Sequence, residues 1–164
     1  MNMKRVLFLV VSVSMSFWTV GQECDSVPEL NREIVALAKS ETGKKVDRGE
    51  CWDLANFVLT ESQAEWDGLY GFGRVIDPTK ECVFPGDVIQ FERVRLKYTR
   101  NGFTIIESMD HHTAIVASVT TNSAIRLIHQ NTGEHGKKVG ESDFNFNDVV
   151  RGKIVVYRPV PQIN

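Results

Sequence analysis

The chain of 164 residues has no cationic surplus, only three cysteines and no apolar run of membrane length. Its 19 Lys and Arg stand against 21 Asp and Glu, a formal charge of −2. Nucleic-acid modules neutralise phosphates with a basic excess, so this balance argues against a nucleic-acid partner. The longest apolar stretch, Val6 to Trp18, is thirteen residues, too short to span a bilayer. No C-x-x-C, H-x-x-x-H or H-E-x-x-H spacing occurs among three cysteines and four histidines. The donors lack a zinc frame, and neither metal nor cofactor is expected. Repeats and low-complexity tracts are absent as well.

What is present begins with an export pattern. Lys4 and Arg5 precede the apolar run, and Thr19 and Gly21 are small enough for the −3 and −1 positions of a cleavage site. Residues 1–21 are therefore read as a signal peptide, and the product as periplasmic or secreted. A lipid anchor would need a cysteine directly after the cut, whereas Gln22 and Glu23 precede Cys24, so no stable membrane anchor is expected. Cleavage removes two cations and no acid, moving the formal charge from −2 to −4. Residues 22–164 suit a single domain with one core. Nothing in them bears on oligomeric state.

Three cysteines in an oxidising compartment leave one over if two bridge. Cys24 with Cys82 is the economical pairing and leaves Cys51 free; the alternative is three free thiols. Cys51 follows Gly49-Glu50 and precedes Trp52-Asp53-Leu54-Ala55. Leu54, Ala55, Val58 and Leu59 lie three, four, seven and eight residues after it, so it leads the apolar face of a helix. Unpaired N–H groups at a helix start favour a thiolate, which predicts a lowered Cys51 pKa. A cysteine there also packs well in a core.

An earlier helix is predicted from the capping-box spacing Ser26-x-x-Glu29, followed by Leu30, Ile34, Leu37 and Ala38. Gly68 to Pro85 reads as a long loop. From Pro85-Gly86 onward the pattern is strand-like. It runs through Val88–Phe91 and Val94–Tyr98, a hairpin turn at Asn101-Gly102, Phe103–Ile106, His112–Val119, Ser123–Ile128 and Lys153–Tyr157. A polar loop to Gly140 and a short helix from Ser142 are expected before the last strand. Helices first and antiparallel strands afterwards describe an α+β layer, with the helices on one face of the sheet.

A thiolate attacking an acyl carbon needs an imidazole and a third group to orient the ring. His111 and His112 open a strand, and neighbouring strand residues face opposite sides, so only one can look at Cys51. If the loop after that strand has two residues, paired positions sum to an odd number, and His112 shares a face with His129 and Asn131 while Gln130 points away. A three-residue loop would bring Gln130 to the imidazole instead. His129 ranks first as the orienting group and Asn131 second. Glu50 lies beside the thiol, either as a binder of a cationic substrate group or simply facing solvent. Each histidine alone would also suit a solvated strand end, and His135 sits in the polar loop.

Four blocks now stand in order: Gly49-Glu50-Cys51-Trp52-Asp53-Leu54-Ala55-Asn56, Pro85-Gly86-Asp87-Val88-Ile89, His112-Thr113-Ala114-Ile115-Val116 and His129-Gln130-Asn131. They resemble the blocks of CHAP-type and NlpC-type cysteine peptidases and amidases, which implies a papain-like fold. The resemblance makes Cys51 the nucleophile, His112 the general base and His129 the orienting group. CHAP proteins often carry glutamate where His129 stands, and NlpC-type enzymes a histidine. His111 to Val116, His129-Gln130-Asn131 and Val156 to Val160 are also similar to the cysteine-proteinase-fold domain of fungal actin-patch scaffold proteins. Two functions are thus implied. One is an exported hydrolase cutting an amide, with peptide or peptidoglycan as substrate; the other is a catalytically silent binding domain. The segment from Arg93 to Ser108 looks like an extra hairpin beside the cleft.

Overall fold

The computed structural model describes residue 24, residues 26–121 and residues 123–163. The expected signal peptide, residues 1–21, lies outside them. Two helices, α1 (Glu29–Ser40) and α2 (Cys51–Glu61), precede eight strands: β1 (Ala64–Glu65), β2 (Arg74–Ile76), β3 (Val88–Arg100), β4 (Phe103–Val119), β5 (Ala124–His129), β6 (Gly140–Asn145), β7 (Val149–Arg158) and β8 (Val160–Pro161). A single 3-10 turn, Phe146–Asp148, joins β6 to β7. Six strands form an antiparallel sheet in the order β2-β7-β3-β4-β5-β6, and β1 pairs with β8 apart from it.

The sheet has two apolar faces because its inner strands are covered on both sides. On one side Val88, Ile115 and Ile128 pack with Ile34 and Ala38 of α1 and Leu54, Val58 and Leu59 of α2. On the other side Ile89, Phe91, Ala114, Val116, Leu127 and Phe144 pack on one another. Phe91 on β3 and Phe144 on β6 are three strand spacings apart, about 14 Å in a flat sheet. Their ring centroids nevertheless approach to 5.3 Å. The sheet therefore curls into a half-barrel, with the helices on its convex side.

Several elements depart from the sequence expectation. Ser26 does not cap α1: its N-cap is Pro28, with no side-chain cap bond, because the fixed φ of proline sets the chain for the helix that starts at Glu29. Ser142 does not open a helix; it lies in β6, where its segment pairs along the whole of β5. The Gly68–Pro85 region contains the short edge strand β2. Arg93 to Ser108 forms a hairpin that continues β3 and β4 rather than adding strands of its own, and it is set off by a bulge against β7 at Arg93, whose φ is 51°. The pair Asn101-Gly102, with φ of 52° and 79°, makes the tight turn at its tip.

The Pro85-Gly86-Asp87 turn ties the layers together. Buried Asp87 accepts Arg158 Nε at 3.1 Å and Arg158 Nη2 at 2.8 Å, and also Asn31 Nδ2 from α1 at 2.8 Å. This bidentate pair, whose carboxylate is fully buried, joins α1, the entrance to β3 and the end of β7. Arg158 also donates to the carbonyl of Cys82, and Cys82 is disulfide-bonded to Cys24 with a Cα–Cα distance of 5.9 Å. Cys51 is a free thiol.

Candidate active site

Cys51 is the first residue of α2. The N-cap of this helix is Glu50, and Asp53 three residues on holds it: Asp53 Oδ2 accepts the Glu50 N–H at 3.0 Å, while the Glu50 carbonyl accepts the Asp53 N–H at 3.0 Å. Asp53 is itself buried and receives Arg48 Nη2 at 2.6 Å. Burial works against its charge, but the N–H of Glu50 and the Arg48 guanidinium outweigh it and hold the carboxyl below its usual range.

The helix start is pinned from the other side by Gln130. This fully buried side chain accepts the Val46 N–H at 3.1 Å and donates to the carbonyls of Val46 at 3.1 Å and Glu50 at 2.8 Å. Asn131 does not reach the imidazole pair. It lies beyond the end of β5 with φ of 61°, and its Nδ2 donates to Glu50 Oε2 at 2.7 Å. Lys137 Nζ meets Glu50 Oε1 at 2.8 Å. The Glu50 carboxylate, with its side chain 43% exposed, is thus engaged by two donors of the 131–137 loop.

The backbone N–H of Thr113 on β4 lies close enough to the Cys51 thiol to favour its thiolate, as do local N–H groups of α2. Pairing between β4 and β5 begins at Ile115 opposite Ile128, and Thr113 lies beyond that point. The strand edge exposed there sets the thiol one peptide from His112. Burial nevertheless pushes the Cys51 pKa up, and the Glu50 carboxylate adds to the rise. This overturns the lowered value read from the helix start alone: desolvation of the thiolate outweighs the N–H donors.

His112 and His129 meet on the concave face. Their side chains are nearly buried, at 7% and 6% exposure, and His112 Nε2 lies 2.9 Å from His129 Nδ1. His129 Nε2 lies 2.8 Å from the hydroxyl of Ser142 on β6. Burial lowers the His112 pKa to about 4, with a smaller contribution from His111. It lowers that of His129 to about 3, helped by His112 and His135. Both rings are neutral at pH 7.

The route to this pairing differs from the sequence argument. Thr120 N–H bonds the carbonyl of Ala124, and Val119 opposes Ile125, so pairs near the turn sum to 244 and the loop has three positions. A two-residue loop is therefore excluded. A bulge between Val116 and Ser118 then takes up one residue, and Val116 opposes Leu127. The sum beyond it is 243, which puts His129 on the His112 face and sends Gln130 to the other.

His111 faces away from His112. Its Nδ1 is 2.9 Å from Glu92 Oε2, and its ring lies edge-on to Tyr70 at 4.4 Å. His135 Nε2 reaches the Glu141 carbonyl at 3.1 Å. Among the described residues, no three His, Cys, Asp or Glu side chains cluster to hold a metal ion. Beside the histidine pair a cleft of about 1030 Å³ opens between the long β3–β4 hairpin, the ends of β5 and β6, and the 131–134 loop; Tyr98, Glu107, His112, His129, Asn131 and Ser142 are among its walls. Ser142 had no signal in the sequence, since its segment is polar and follows a polar loop.

A cysteine at a helix start, a buried histidine pair on the opposing strands and helices layered on an antiparallel sheet define the α+β architecture of a papain-like cysteine proteinase fold. Residues 27–163 match the AIM3/BBC1 cysteine proteinase-fold domain, and the chain belongs to that family. No curated protein matches it. Two solved structures are similar at low identity. "The crystal structure of Ly7917" is 15% identical with a TM-score of 0.43, covering 77% of this chain and 62% of that one. "The crystal structure of Ly7917 with the hydrolyzing product of MDP" is 17% identical with a TM-score of 0.45, covering 79% and 63%. The chain thus matches under two thirds of the length of either.

Proposed function

We propose that the protein is an exported cysteine hydrolase that cleaves an amide bond through a thioester acyl-enzyme, with peptidoglycan peptide as its substrate class. The observation that carries this reading is a free cysteine at the start of α2, close to the Thr113 N–H of β4, with the preceding residue a histidine whose Nε2 is already engaged by a second buried histidine. That engagement leaves His112 Nδ1 to act as the base.

In the first step Sγ attacks the scissile carbonyl carbon as its proton passes to His112 Nδ1. Both partners start neutral, so proton transfer accompanies attack rather than preceding it. The Cys51 backbone N–H at the helix start is the natural oxyanion donor. His112 then gives the proton to the leaving nitrogen, the C–N bond breaks, and water delivered to the thioester by the same base releases the acid and the thiol. The export signal and the likeness to CHAP-type and NlpC-type blocks support a cell-wall peptide as substrate.

The raised thiol pKa and the two neutral rings favour a second reading, a binding domain that keeps the scaffold without chemistry. The test is digestion of peptidoglycan and of isolated wall peptides by wild type, Cys51→Ala and His112→Ala, with products identified by mass spectrometry. New amine and carboxyl ends from wild type alone support the hydrolase. Equal products from Cys51→Ala would eliminate it, and no cleavage by wild type, with binding retained, would favour the binding domain.

A further inference from the structure

Ser142 is the outermost member of a hydrogen-bonded line that runs from His112 through His129 to β6. A line of this kind has two proton arrangements, since each neutral imidazole has one N–H and one lone pair and the hydroxyl can give or take. In the first, Ser142 Oγ accepts from His129 Nε2–H. His129 Nδ1 then accepts from His112 Nε2–H, and His112 Nδ1 carries a lone pair. In the second, Ser142 donates to His129 Nε2, every proton moves one place, and His112 Nδ1 carries a hydrogen. Only the first leaves His112 able to take a proton from Cys51.

We infer that Ser142 is a positioning residue that holds both rings in the first arrangement, acting as the terminal acceptor and so fixing the base-competent tautomer of His112. The inference deepens the hydrolase reading and rests on it for its functional meaning. The tautomer of a ring is set by the partner of its other nitrogen, and Ser142 is half-buried on the cleft wall, where its own hydrogen can reach solvent. When His112 takes the thiol proton, His129 still presents a lone pair to its Nε2–H. The positive charge is then met by an acceptor rather than by a second N–H.

The experiment uses the intact protein and no substrate, so a failed search for hydrolysis leaves it readable. In histidine-labelled wild type at pH 7, two-bond nitrogen–proton correlations should show the proton of His129 on Nε2, with assignments from His111→Gln and His135→Gln. A proton on Nδ1 overturns the inference even if no variant folds. Iodoacetamide rates at Cys51 supply the second readout. Ser142→Ala should slow alkylation near pH 7 by about 10-fold or more, toward the range typical of lost general-base assistance. Ser142→Thr should restore it, and the rates should converge at high pH, where the thiolate forms without a base. A Ser142→Ala profile that follows wild type at every pH overturns the inference.

Discussion

Gln130 offers the sharpest test of how the nucleophile is held, because the sequence argument considered it only as a partner of the imidazole and otherwise turned it away. Its side chain is fully buried on the face opposite the histidines and makes three hydrogen bonds, all to the connector that leads into α2. Each such bond contributes about 1 kcal/mol net. Val46 and Glu50 are only half-buried, so water can repair part of the loss. Gln130→Ala should therefore cost about 2 to 3 kcal/mol in urea unfolding and loosen the position of Cys51. Gln130→Glu keeps the size but points a carboxylate at two carbonyl oxygens. It should be at least as destabilising at pH 7 and recover partly on acidification, when the protonated acid can donate again. The local readout is Cys51 alkylation, which should change in rate in both variants while His112→Ala changes it by a separate route. A Gln130→Ala protein within about 0.5 kcal/mol of wild type, with unchanged Cys51 reactivity, would show that the connector is held by something else.

Acid should destabilise the fold through the histidine pair: their pKa values of about 4 and about 3 lie below the unfolded value of about 6.5. The unfolded chain binds the extra protons in that window, so stability falls from about pH 6.5 toward pH 4 by up to about 1.4 kcal/mol per pH unit for each ring; a flat profile in urea unfolding from pH 6.5 to 4.5 would refute the burial argument. Opening the Cys24–Cys82 bridge, which spans 58 positions, should cost about 4 kcal/mol on the chain-entropy account, read as a lower unfolding midpoint in Cys24→Ser/Cys82→Ser. Gly86→Ala should cost about 3 kcal/mol in the same assay, since the new Cβ at φ of 86° would lie 2.2 Å from the Asn31 backbone oxygen; a stable variant would mean that α1 and the turn can separate.

What the sequence made legible was local or periodic. The apolar spacing after Cys51 matches the buried residues of α2, and the Asn-Gly turn is where the chain reverses. What it hid depended on distant partners or on depth. Gln130 pairs with residues 80 and 84 positions away, and nothing beside it in the chain announces them. The polar run Gly140-Glu-Ser-Asp carries no strand periodicity; it becomes β6 only because β5 offers a free edge. The helix-start argument for a reactive thiol counted the N–H donors correctly but had no means of weighing burial, which turned out to be the larger effect.

The register of β4 and β5 shows how two errors of parity can cancel, and why the site does not depend on the turn that closes its hairpin. The face of a strand residue is set by the running count of paired positions, and each inserted residue flips it. Here the three-position loop flips the count once and the bulge near Ala117 flips it again before the strand reaches the site. Burial supplies the restoring force. With the bulge, Ile115 and Ile128 face the helices while Ala114, Val116 and Leu127 face the half-barrel. Without it, one strand would slip against the other and the paired side chains would no longer share these two faces. Deleting one loop residue should accordingly remove the bulge and leave His112 paired with His129, because the two apolar faces fix the register.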